Sequence, residues 1–130
     1  MTIKLELSAE HAQVVQDACE MLMRLKLGQT MFPTELMLDM PGGIDRYDIK
    51  EFCLRRNVAN AALKIFLNAC GYAEGTSKDE VEHMAYEVWG SIRHAIWKHD
   101  NPGVTDSWDV RSQPPLCESG KPMPKCRVEG

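Results

Sequence analysis

The sequence predicts an α+β domain in which three main helices pack on a small antiparallel strand pair formed by the N- and C-terminal segments. Three observations predict it. Thr2-Ile3-Lys4-Leu5-Glu6-Leu7 alternates polar and apolar residues with the period of a half-buried strand. Three long stretches repeat their apolar residues at three- and four-residue spacing, between recognisable helix start and stop signals. The chain closes on an extended, proline-punctuated segment, Pro122-Met123-Pro124-Lys125-Cys126-Arg127-Val128, and prolines are tolerated on strand edges and strand starts.

In the first strand Ile3, Leu5 and Leu7 share one face. Ser8 then supplies an N-cap, with Glu10 in the first turn where the helix dipole favours an anion. From Ala9 to Leu27 the stripe is Ala12, Val15, Ala18, Cys19, Leu22 and Leu25, and Gly28 is the stop. A shorter piece follows, with Pro33 suited to a first helical position, Met31, Phe32, Leu36, Met37 and Met40 available for packing, and Pro41-Gly42-Gly43 as its end. Asp48 with Glu51 reads as a capping arrangement for a helix from Ile49 to Cys70, which carries Phe52, Cys53, Val58, Ala59, Ala62, Leu63, Phe66 and Cys70 toward a core; Gly71 closes it. Ser77 with Glu80 repeats the capping pattern, and Val81, Met84, Ala85, Val88, Trp89, Ile92, Ala95 and Ile96 form a helical stripe running to about His99. Asn101-Pro102-Gly103 breaks it. The last thirty residues hold five of the seven prolines, with Trp108, Val110, Leu116, Met123 and Val128 as apolar anchors, so the tail is expected to wrap the domain.

With 130 residues, 44% of them apolar, residues 1–130 are predicted as a single domain: 1–100 the strand and helical core, 101–130 the wrapping segment. A formal charge of −4 repels a polyanion, which argues against duplex nucleic acid as a partner. Nothing approaches the roughly 20 apolar residues that span a bilayer, so a cytoplasmic protein is expected. The five cysteines do not fall in the close local pairs that zinc requires, since Cys117 and Cys126 are the nearest two; three of the five sit on helical apolar stripes, as reduced cysteines do. His11, His83, His94 and His99 form no helical ligand pair. No metal and no cofactor are therefore expected.

No Ser-His-Asp order, phosphate loop or nucleophile elbow can be assembled, so catalysis is not expected. Asp45, Asp48 and Glu51 could suggest a cation site, but capping accounts for Asp48 and Glu51. The methionines Met21, Met23, Met31, Met37 and Met40 suit core filling or an adaptable contact surface. On the middle helix Arg56, Asn57, Asn60, Lys64 and Asn68 lie along one polar stripe, and three asparagines in one helix are unfavourable enough to ask what they bind. On the last helix Tyr86, Arg93 and Trp97 lie beside the apolar stripe, with Gly90 leaving a gap. Arginine and lysine suit phosphate oxygens, asparagine amides suit base edges, and an indole can stack on a base. The candidate ligand-binding residues are thus Arg56, Asn60, Lys64, Arg93 and Trp97.

The runs Leu5-Glu6-Leu7-Ser8-Ala9-Glu10, Arg24-Leu25-Lys26-Leu27-Gly28-Gln29, Ile92-Arg93-His94-Ala95-Ile96 and Pro115-Leu116, with Ser119-Gly120-Lys121-Pro122-Met123-Pro124-Lys125, together look like a group of small accessory proteins from tailed-phage and prophage genomes. Gly71-Tyr72-Ala73-Glu74 departs from that group's Tyr-Gly-Ile segment. The group has no function to carry over. Its phage setting implies counter-defence in the cytoplasm of a host bacterial cell. The expected function is sequestration of a small phosphorylated host immune signal, such as a cyclic nucleotide, by a homo-oligomer and without chemistry. The alternatives are an inhibitor docking on a host defence protein, anti-CRISPR-like in action, and after it a nucleotide-processing enzyme.

Overall fold

The computed structural model describes residues 1–38, 49–72 and 79–130. The expected caps Asp48 and Ser77, the Pro41-Gly42-Gly43 stop, and Met40, Asp45, Ala73 and Glu74 lie outside the described residues. The described residues form four α-helices, α1 (Ala9–Lys26), α2 (Met31–Leu38), α3 (Ile49–Ala69) and α4 (Glu80–Asp100), and after α4 a 3-10 turn, Val110–Ser112. Among the described residues there is no strand, which overturns the α+β expectation. The class is all-α.

The strand pair fails for a physical reason at each end. Residues 1–8 are exposed on both sides of the alternation, with Ile3 and Leu5 as open to solvent as their polar neighbours, so nothing rewards extension by burial. At the other end Pro122 and Pro124 lack the amide hydrogens that a ladder needs. The tail is ordered by another device, contact with a helix.

The helix-end signals at Ser8, Gly28 and Gly71 hold. Ser8 caps α1, its Oγ accepting from His11 N at 3.2 Å, and the Glu10 carboxyl lies below its ordinary range through hydrogen bonding at this helix start. Gly28, at φ 71°, ends the helix, with Gln29 N donating to Arg24 O at 2.8 Å. Gly71, at φ 86°, ends α3 in the same way, with Tyr72 N donating to Leu67 O at 2.8 Å. Pro33 occupies the third position of α2 instead of the first, still within the turn whose amides have no intrahelical acceptor. Asp79 caps α4, accepting from Val81 N at 2.8 Å.

Two compact units make up the described residues, 1–20 with 83–130 and 21–82. In the second unit α2 packs on α3: Pro33 and Thr34 of α2 and Thr30 just before it are buried, and Thr30 Oγ1 donates a hydrogen bond to Asn60 Oδ1 on α3. Lys26 Nζ joins the tip of α1 to Tyr72 Oη at 2.6 Å and to the Asp79 carboxylate at 2.9 Å. Phe52, Cys53 and Leu63 of the expected α3 core stripe are half-buried, but Val58, Ala59, Ala62, Phe66 and Cys70 are exposed; Leu67, absent from that stripe, is the buried one.

In the first unit the tail runs along α4. Glu87 is 2% exposed and accepts three hydrogen bonds from it: Glu118 N at 2.8 Å, Ser119 N at 2.7 Å and Ser119 Oγ at 2.7 Å. Pro115 sits against Gly90, and His94 Nδ1 lies 2.9 Å from Arg111 O. Glu87, Gly90, His94 and Trp97 follow one another at three- and four-residue steps, so one face of α4 receives the tail. The expected anchors Trp108, Val110, Leu116 and Val128 are exposed, and only Met123 is half-buried. Backbone amides and a proline ring do the anchoring that apolar side chains were expected to do.

Candidate functional site

A cleft of about 270 Å3 in the first unit is lined by Gln13 and Gln16 of α1, by Arg93, Ile96, Trp97 and Asp100 of α4, and by Asn101 and Arg111 beyond it. The i, i+3 spacing of Gln13 and Gln16 puts both amides on one side of α1. Arg93 and Trp97, four residues apart, present one side of α4. The 3-10 turn supplies Arg111, because Asp109 caps it and takes Arg111 N at 2.9 Å.

Each cation here has a specific setting. The Arg93 guanidinium carbon lies 3.8 Å from the centre of the Trp89 ring, a cation–π contact that holds the side chain along the helix. Its Nε is buried without a hydrogen-bond partner, and burial pulls its pKa down from the usual arginine range, against the pull of Glu20. Arg111 is clamped by Asp109, with Nη2 to Oδ2 at 2.5 Å and Nε to Oδ1 at 3.0 Å. That clamp, with the amide of Arg111 and the side chain of Trp97, holds the Asp109 carboxyl at about 2. Asp100 also lines the cleft, so it is mixed in charge.

Two of the five candidate residues meet here, Arg93 and Trp97. Trp97 is buried, and its side chain is the last of the influences that lower the Asp109 carboxyl. Arg56, Asn60 and Lys64 belong to the second unit and do not line this cleft. Arg56 Nη1 lies 4.0 Å from the Glu35 carboxylate, with the guanidinium 6.0 Å from the Phe52 ring; Asn60 is engaged by Thr30; Lys64 is exposed. Two members of that polar stripe thus have partners within their own unit. Sequence reasoning missed Gln13, Gln16, Asp100, Asn101 and Arg111. The available signal was the glutamine pair at helical spacing in an otherwise apolar-periodic stretch.

Trp108 is the other feature of note. It is fully exposed, on a loop fixed by Asp109 N to Ser107 Oγ at 3.1 Å and by the Asp109 clamp on Arg111. Comparison with family models, curated proteins and solved structures gives no match for this chain. No helix among the described residues is long and apolar enough to cross a membrane.

Proposed function

We propose that this chain binds a small phosphorylated ligand carrying a nucleotide unit in the Arg93 cleft and sequesters it without chemistry. The observation that carries the reading is convergence: two arginines and three side-chain amides from α1, α4 and the tail line one cleft. A guanidinium presents a fork of N–H donors that matches phosphate oxygens. The mixed charge suits a nucleotide better than bare phosphate. Arginine takes phosphate oxygens, while Asp100 and the amides of Gln13, Gln16 and Asn101 match ribose hydroxyls and base edges. The volume lies just under the roughly 300 Å3 at which small-molecule sites begin, which fits one nucleotide unit of a larger signal. The resemblance to phage accessory proteins makes a host immune signal the natural ligand.

The test is to incubate the purified protein with cyclic di- and trinucleotides and ADP-ribose derivatives, heat it, recover intact ligand, and titrate that ligand calorimetrically. A charge-assisted hydrogen bond contributes roughly 1.5–3 kcal/mol, so Arg93→Ala weakens binding about ten- to a hundredfold. Equal affinities for wild type and Arg93→Ala, or no heat with any nucleotide, would refute the reading.

The exposed Trp108 supports a second reading, an inhibitor docking on a host defence protein. Tryptophan is enriched among interface hot spots, and a fixed loop loses little entropy on binding. Val110 and Leu116, also exposed, would rim the contact. On this reading Trp108→Ala abolishes protection of phage growth while nucleotide titrations stay silent.

A further inference from the structure

The tail supplies one wall of the Arg93 cleft and is fastened at a distance from it. Arg111 lines the cleft from the 3-10 turn, while the other walls come from α1, from α4 and from Asn101 at its end. The clips that hold the tail lie further back along α4. Arg111 O is 2.9 Å from His94 Nδ1, the Pro115 ring seats on Gly90, and the Glu118 and Ser119 amides donate to Glu87 Oε1 at 2.8 and 2.7 Å. Tail numbers rise as helix numbers fall, so the tail leads away from the cleft, antiparallel to α4. Glu87 stands six positions before Arg93, about 9 Å along the helix axis. Neither Glu87 nor Gly90 lines the cleft.

We propose that tail docking and ligand binding form one coupled equilibrium: the cleft is complete when the tail is clipped to α4, and a nucleotide held by Arg111 as well as Arg93 locks the tail down. This inference rests on the reading of the cleft as a nucleotide site. Pro114 and Pro115 lie between Arg111 and Glu118, and their fixed φ stiffens the link, so the clips act together. Trp108, Val110 and Leu116 are exposed and add little burial, which leaves the docking to polar contacts and a proline ring. Segments with few buried apolar contacts open locally at free energies below that of global unfolding. An opened tail leaves the cleft with Arg93 and takes Arg111 away. The ligand therefore binds the docked state better, and that difference in affinity is what shifts a population. Linkage makes the effect reciprocal. Glu87 is then a positioning residue, acting on the ligand through Ser119, Pro115 and Arg111.

Calorimetry of the full chain with AMP, a single nucleotide unit, and with cyclic di-AMP tests the coupling. Glu87→Ala should weaken binding about tenfold from outside the cleft, within the roughly five- to 150-fold span of coupling between sites, and leave the helical circular dichroism spectrum unchanged. Pro115→Gly, which leaves α4 untouched, should weaken binding in the same direction. Amide exchange reads the converse. Either nucleotide should slow exchange of the Glu118 and Ser119 N–H groups in wild type, and do so much less at the same concentration in Arg93→Ala. Equal affinities for wild type, Glu87→Ala and Pro115→Gly overturn the coupling and leave the sequestration reading standing. So does binding that leaves those two amides exchanging at the rate of the free protein. Silence with both nucleotides also overturns the coupling, and silence across the cyclic nucleotides and ADP-ribose derivatives removes the sequestration reading as well.

Discussion

Gly90 and Pro115 fit together with no room for another atom: a methyl group on Gly90 would stand 2.7 Å from Pro115 Cβ and 3.0 Å from its Cγ. A proline ring cannot swing aside as a long side chain can. The contact therefore fixes where the tail lies on α4, and it gives a reason for glycine in a helix interior, where it costs about 1 kcal/mol relative to alanine.

Gly90→Ala should accordingly loosen the tail. The helical gain of about 1 kcal/mol is offset by an overpacking cost of about 1–3 kcal/mol, so the melting temperature should not rise, as alanine in an open helix position would make it do. Limited proteolysis should cut the segment between residues 104 and 119 faster than in wild type. A more stable protein with a protected tail would contradict this.

Glu87 makes tail docking pH-dependent. Burial alone would raise its carboxyl, but hydrogen bonds from the Ser119 amide and hydroxyl and from the Glu118 amide, with the nearby His83, outweigh burial and hold it below the ordinary 4.5. A carboxyl whose folded pKa is depressed contributes stability that is complete above its unfolded value and is lost as pH falls through the folded one. Docking should thus be complete above about pH 5 and weaken below 4.5, as read by amide exchange at Glu118 and Ser119. Glu87→Ala should lower stability by about 1–3 kcal/mol at neutral pH by stripping those donors of their acceptor.

Asp109 sets a second, lower transition. Its side-chain bonds to Arg111 come first among the causes that bring it to about 2, so the clamp on Arg111 and the bond to Trp97 should persist through mild acid and fail only near that pH. The Trp97 indole proton, followed by NMR, should exchange slowly at pH 4 and rapidly in Asp109→Ala. Equal exchange in the two proteins would show that Asp109 does not hold the indole.

The tail attachments described above all fall between Asp109 and Ser119. Removing residues 121–130 should therefore change the melting temperature less than removing 114–130, which takes away Pro115 and the amides that bind Glu87. The reverse order would mean that the terminal segment carries the docking.

The helices were legible because their ends are coded locally. Ser8, Gly28 and Gly71 act through atoms within a few residues of themselves, and a caps-and-period reading finds them. The strand pair was misread because six alternating residues specify a face but not a partner, and Pro122 and Pro124 cannot provide one. Periodicity also found an apolar stripe on α3 without telling what covers it, so Val58 and Phe66 were assigned to a core that leaves them open. The site shows the same limit. Arg93 and Trp97 were legible as neighbours on one helix, but Arg111 reaches the cleft through a turn in the tail. The engagement of Asn60 by Thr30, thirty positions away in sequence, is invisible to any local pattern.

The three tryptophans of this chain occupy three unlike surroundings: Trp97 buried, Trp89 beneath a guanidinium, Trp108 in water. Their emission should separate accordingly. Trp108 supplies a red-shifted component that iodide quenches freely, while Trp97 emits to the blue and is shielded. The chain thus carries its own optical reporters, one beside the cleft and one on the exposed loop. A nucleotide entering the cleft would change the blue component and leave iodide quenching intact, whereas a protein seated on the loop would protect the red one.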